Sequence, residues 1–176
     1  MMKSNLKKSN LDKIHILDLT LTLEKEWKKL SISDTVLFYH KLCYTFAKRF
    51  DEVYVIDCGN SLNPYGISLL AKFDSRDPFV ILNKIKISRV FTVFQLDSAV
   101  SKVISKNPKI FLITELDKIL SDESISNQEK VATIKSAFKK IKKTKASVFI
   151  TFNKKVYYKL SKEMELWEKQ SLPQLG

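Results

Sequence analysis

Residues 53–64 read VYVIDCGNSLNP. An unbroken run of apolar and aromatic side chains ends in Asp57, and the turn formers Gly59, Asn60, Asn63 and Pro64 follow it. That pattern fits a strand buried on both faces, with its polar end at the carboxyl edge of a sheet. A strand covered on both sides needs helices on both sides, so this stretch predicts an α/β fold.

The flanking sequence repeats the theme. Upstream, Leu42, Cys43, Phe46 and Phe50 recur at helical spacing within KLCYTFAKRF (41–50). TVLF (35–38) is expected as a short buried strand leading into that helix, with Ser33 and Asp34 as alternative helix caps. IHILDLTLTL (14–23) alternates apolar and polar residues, the period of a half-buried or edge strand. Downstream, helices are expected through Ile67 to Phe73, Val80 to Leu82 and Phe94 to Ile104, with KIKISRVF (84–91) as a strand. KIFLIT (109–114) follows as a strand and LSDESISNQ (120–128) as a polar loop. Val131 to Lys143 is expected as an amphipathic helix, SVFITF (147–152) as a strand and Lys154 to Lys169 as a further helix. Strands alternating with helices predict a largely parallel, twisted sheet covered by helices on both faces.

A length of 176 residues suits one domain. Residues 1–13 carry four lysines among Ser and Asn and are expected to form a flexible basic arm. Residues 14–170 form the domain and 171–176 a tail. Cys43 and Cys58 sit in apolar stretches without zinc or disulfide spacing, as small core residues of a reducing compartment do. No apolar run approaches the roughly 20 residues of a membrane span, and the N-terminus has no apolar signal core. A cytoplasmic protein is expected, nucleoid-associated in a prokaryote, with no cofactor, metal or membrane partner.

The formal charge of +12 favours polyanionic partners through long-range attraction and counterion release. Val131, Ile134, Phe138 and Ile141 make an inward stripe on the helix from Lys130 onward. Lys135, Lys139, Lys140, Lys142, Lys143 and Lys145 crowd its outside and its C-terminal end. Lysine at a helix C-terminus suits the helix dipole, which explains part of the clustering as a solvated face. The rest is expected to contact phosphates, together with Lys154 and Lys155 beyond the strand 147–152.

Two segments also resemble the RecA and RadA recombinase family, especially its archaeal and eukaryotic branch and the paralogues of that branch. VIDCGNSLNPYGISLLAKF (55–73) resembles the family's Y-I-D-T-E-G-x-F-x-P-x-R segment. NKIKISRVFTVFQL (83–96) resembles its D-N-I-x-x-A-R-A-x-x-x-x-H-Q segment, at the family's spacing. By the same likeness, KLCYTFAKRF matches the helix after the nucleotide loop, KIFLITELD the Walker B strand and VFITFN the last core strand. The likeness spans roughly residues 35–153 and implies a RecA-like core.

The departures from that family carry the functional expectation. A phosphate-binding loop needs glycines whose backbone N–H groups wrap the phosphates, then Lys and a hydroxyl residue. No glycine precedes Gly59. The resemblance puts Tyr39 and His40 where the family has that Lys and Thr, with Lys41 one residue beyond. Cys58, Gly59 and Asn60 stand where the water-activating glutamate belongs, and Glu115 replaces the metal-associated aspartate, with Asp117 two residues on. ATP hydrolysis is therefore not expected. The family's first DNA-binding loop corresponds to LSDESISNQ, which is acidic here. Its second begins at Lys154 and is nearly absent, leaving Tyr157 or Tyr158 for base stacking.

Four residues carry a second, structural reading. Asp57 suits turn capping, and His40 suits either a packed side chain or an anion site at a helix start. Arg89 and Gln95 match positions that relay nucleotide state in the family. Without a nucleotide loop they are expected as structural hydrogen-bonders or at a subunit interface. The leading expectation is a non-catalytic RecA-fold accessory protein of DNA recombination and repair. It would bind DNA independently of sequence, a recombinase-type partner, or both, and a homo-oligomer is also compatible. The alternatives are an architectural protein-interaction subunit without nucleic-acid binding and a metal-dependent nuclease using Asp57, Glu115 and Asp117.

Overall fold

The computed structural model describes residues 14–18 and 32–152, with side chains from 38 to 151. It is an α/β fold. The strands are β1 (Ile14–Asp18), β2 (Val53–Asp57), β3 (Ile85–Arg89), β4 (Ile110–Thr114) and β5 (Ser147–Phe152). The helices are α1 (Ile32–Ala47), α2 (Pro64–Phe73), α3 (Pro78–Asn83), α4 (Val93–Ile104), α5 (Leu116–Leu120) and α6 (Asn127–Lys143). All strand pairings are parallel, and the order across the sheet is β1-β5-β4-β2-β3. β1 lies at an edge, as its alternating sequence predicts, and residues 19–23 of that stretch lie outside the described residues.

Every residue of β4 is buried. Its alternate side chains feed two separate cores, one on each face. Ile110 and Leu112 join Val53, Val55 and Ile85 beneath α1, α2 and α3. Phe111 and Ile113 join Ile56, Val148 and Ile150 beneath α4, α5 and α6. Helices on both faces explain why these strands read as continuous apolar runs.

Side-chain caps set the helix boundaries. Asn63 accepts from the Tyr65 N–H and Asp77 from the Phe79 N–H, each followed by a proline in the first turn. Thr92 with Gln95, and Ser126 with Glu129, form capping boxes that start α4 and α6. The second box starts α6 at Asn127 rather than at Val131. α5 is an additional short helix between β4 and the polar loop.

One expected element is corrected. TVLF is not a strand: residues 35–38 lie inside α1, a continuous helix through Ala47. Four apolar-leaning residues satisfy either period, and their continuity with the helical stripe that follows decides for helix. Residues 19–31, between β1 and α1, lie outside the described residues. Among the described residues, no helix is long and apolar enough to cross a membrane.

Candidate functional site

In a parallel sheet the carboxyl ends of the strands and the turns after them form one edge, where such folds bind ligands. Here that edge is filled by the chain itself. Asp57, at the end of β2, is completely buried. Its carboxylate accepts from the Ser61 N–H (3.3 Å), the Leu62 N–H (3.1 Å) and the Thr114 hydroxyl (3.3 Å). The Arg89 guanidinium stands 4.0 Å away and donates to the Leu62 carbonyl at 3.2 Å. Asp57 therefore closes the turn that follows it, and Arg89 pins the same turn from β3.

Glu115 follows β4 in the left-handed region, φ 51° and ψ 46°, a strained conformation for a side chain with a Cβ. Its N–H donates to Thr151 Oγ1 at 3.0 Å. Its Oε2 is buried without a hydrogen-bond partner. The carboxylate lies over Gly59, where any Cβ would collide with it. The missing side chain of Gly59 thus makes room for Glu115.

Tyr39 enters the same cluster from α1 and is buried. Burial pushes its phenol far above the ordinary value of 10.0, and the Glu115, Asp117 and Asp57 carboxylates push it further. A hydrogen bond with Thr151 acts in the opposite direction, as a bond donated to the phenol oxygen does. Thr151 therefore links Glu115 and Tyr39 across the strand ends. Burial holds the Cys43 thiol up at about 12, aided by the Asp57 carboxylate, and raises the Cys58 thiol as well. Both are inert core thiols at neutral pH.

The resemblance reads Tyr39 and His40 at the places of the phosphate-loop Lys and Thr. Both lie in the middle of α1, well past its first turn. His40 is buried, and its Nε2 accepts from the Asn63 N–H at 2.8 Å. Its ring packs against Gly66 in the first turn of α2, where a Cβ would lie 2.9 Å from His40 Cδ2. The helix start that His40 meets is that of α2, and His40 takes up one of the donors there. Gln95 is likewise committed to its capping box, accepting from the Phe91 N–H at 2.8 Å.

The connection between β1 and α1, residues 19–31, has no glycine. Glu115, Thr151 and Tyr39 meet at the carboxyl ends of β4 and β5. Among the described residues, no three His, Cys, Asp or Glu side chains are grouped to hold a metal. Asp57, Glu115 and Asp117 are not among any such group.

The lysines of α6 divide into two kinds. Lys140 turns inward, with its ammonium on Asp97 Oδ2 at 2.5 Å and on Ser101 Oγ at 2.8 Å, joining α6 to α4. Lys130 is buried, whereas Lys135 is half-buried. Lys139, Lys142, Lys143 and Lys145 are exposed. The last three surround the end of α6, at the amino edge of the sheet where β5 begins. Lys154 and Lys155 lie outside the described residues.

Sequence reasoning missed that a second segment brings cations to the same edge. Lys102, Lys106 and Lys109 are exposed at the end of α4 and the start of β4. The Lys109 carbonyl accepts from the Ser147 N–H at 2.9 Å, which ties the two approaches together. The signal was the apolar period of Val93 to Ile104, which ends both helices at one sheet edge. Asp51 and Glu52 share a groove with Lys106 and Lys109 and offset part of that charge.

No protein-family model matches the chain, and comparison with curated proteins finds no significant match.

Proposed function

We propose that the chain is a non-catalytic RecA-type accessory protein of DNA recombination and repair, which holds nucleic-acid phosphates on its lysine-rich amino edge. The observation that carries this reading is the convergence of Lys102, Lys106 and Lys109 with Lys142, Lys143 and Lys145, six exposed cations from two segments, at one end of the sheet. The RecA-type core rests on the two matching segments, which fall on β2 with α2 and on β3 with α4. The strand order adds support. A dinucleotide-binding sheet keeps its first strand central, in the order 3-2-1-4-5-6 or 2-1-3-4-5, whereas β1 here lies outside β5. The absence of ATP hydrolysis rests on the glycine-free connection and on the filled carboxyl edge.

The mechanism is charge neutralisation. Lysine ammonium groups displace counterions condensed on the phosphates, so affinity falls log-linearly with salt at about 0.9 per phosphate contact on duplex DNA. No base-reading element is required, and binding is independent of sequence. A salt series of fluorescence anisotropy with labelled single- and double-stranded DNA, with and without ATP and magnesium, tests the reading. The expected result is salt-dependent binding indifferent to ATP, with a shallower slope after Lys142→Ala and Lys143→Ala. Undetectable binding at low salt removes the nucleic-acid half and leaves an architectural subunit. An ATP-dependent affinity overturns the loss of the nucleotide site.

A further inference from the structure

All the large apolar side chains that are exposed among the described residues belong to residues 65–94, the segments that bracket the edge strand β3. Tyr65 (67%), Leu69 (38%) and Phe73 (85%) repeat every fourth residue and form one outward ridge along α2. Phe79 (71%) and Val80 (52%) are exposed on α3, which packs against α2. The inward side of α2 is already spent on the core through Ile67 and Ala71. Scattered apolar residues on a surface need no explanation, but a ridge at helical spacing beside another apolar pair does.

Charge decides what kind of chain covers this ridge. Lys72 on α2, Arg76 between α2 and α3, and Lys86 on β3 are exposed, and Lys84 is half-buried. The two acids there already have internal roles. Asp74 accepts from the Tyr44 hydroxyl at 2.6 Å and from Lys48 at 3.0 Å, and Asp77 caps α3. A second copy of this chain would bring the same cations face to face. An i, i+4, i+8 ridge is the shape that seats in the groove of another helix.

We infer that the outer face of α2 and α3 is a docking surface for an amphipathic helix of a partner protein whose apolar stripe is flanked by Asp or Glu. This gives a place and a chemistry to the protein partner, and its residues lie on different elements from the amino-edge lysines. Failure at one surface therefore leaves the other standing.

The test uses the full chain and a fluorescently labelled synthetic helix with a Leu stripe flanked by Glu, compared with the same stripe flanked by Lys. Anisotropy titrations are expected to show binding of the Glu-flanked peptide at least tenfold tighter than the Lys-flanked one. The Leu69→Glu, Phe73→Glu double variant is expected to weaken it at least tenfold with the thermal midpoint unchanged. Lys142→Ala with Lys143→Ala is expected to leave peptide binding as it was. Equal binding of the two peptides, or a double variant that binds normally, overturns the inference. So does a loss in the α6 variant matching that of the double variant, which would reveal general attraction to a basic protein. A concentration-dependent dimer in sedimentation that the double variant abolishes also overturns it, because the occupant is then a second copy.

Discussion

Glu115 and Gly59 share one volume: the carboxylate at the end of β4 fills the space where residue 59, beyond the end of β2, would carry its side chain. Gly59→Ala is expected to force the glutamate out and to destabilise the fold by roughly 1–2 kcal/mol, within the usual range for overpacking. Combining it with Glu115→Ala is expected to cost less than the two single changes added together, because each removes the other's obstacle. Urea unfolding of the four proteins measures the coupling. Strict additivity would mean that the two residues do not compete for space.

Glu115 bears two burdens at once, a left-handed backbone and a buried oxygen without a partner. Glu115→Gly relieves both, and is expected to raise stability by about 1 kcal/mol despite the added freedom of glycine in the unfolded chain. A thermal midpoint below that of the parent would show that the carboxylate contributes more than it costs.

Asp57 is expected to tolerate no truncation. Asp57→Ala leaves two backbone donors, the Thr114 hydroxyl and the Arg89 guanidinium facing an empty site, and is expected to cost roughly 3 kcal/mol or more. Asp57→Asn keeps one acceptor and is expected to fall between it and the parent. Denaturant midpoints rank the three.

The Asp97–Lys140 pair sets an acid dependence. Burial pulls the Asp97 carboxyl upward, but the hydrogen bonds from Lys140 and Ser136 and the Lys140 charge together hold the group below its ordinary 3.8. A carboxyl depressed in the folded state contributes stability above its unfolded value and loses it as pH falls through the folded one. The pair is about one-third exposed on each side, so its worth is at most about 1 kcal/mol. The difference in thermal midpoint between the parent and Asp97→Asn is therefore expected in full at pH 7 and expected to shrink progressively as pH falls below 3.8. Lys140→Ala is expected to lower stability while leaving the salt slope of DNA binding intact.

Much of this architecture could be read from residues alone, for identifiable reasons. β2, β4 and β5 stand out because strands buried on both faces are continuously apolar, and Ile14 to Asp18 alternates because it lies at the edge. TVLF misled because its four residues carry no period of their own. The filled site was hidden for a different reason. The contacts of Glu115 with Gly59 and of Tyr39 with Thr151 join distant segments whose side chains look unremarkable in sequence. Lys140 resembles its neighbours until α4 brings Asp97 to it, and Lys102, Lys106 and Lys109 look scattered until two helices end at one edge.

Tyr39 gives an alkaline counterpart to the acid test. Its phenol is raised by burial first and by neighbouring carboxylates second. A raised acid contributes stability that is complete below its unfolded value near 10.0 and is lost as pH climbs toward the folded value. Tyr39→Phe loses the bond to Thr151 but cannot ionise. It is expected to be less stable than the parent at pH 8, with the gap narrowing above pH 10. Chemical denaturation at both values decides, and a gap that widens would contradict the buried placement.

The pairing of Ile14 with Val148 has a consequence for how the molecule is made. Of the described strands β1 is the first to leave the ribosome, and β5, its neighbour in the finished sheet, is the last. β1 has no partner while β2, β3 and β4 are assembling, and loop closure across nearly the whole domain must precede its docking. β2, β3 and β4 therefore have the means to organise before β1, which docks only once β5 has been made.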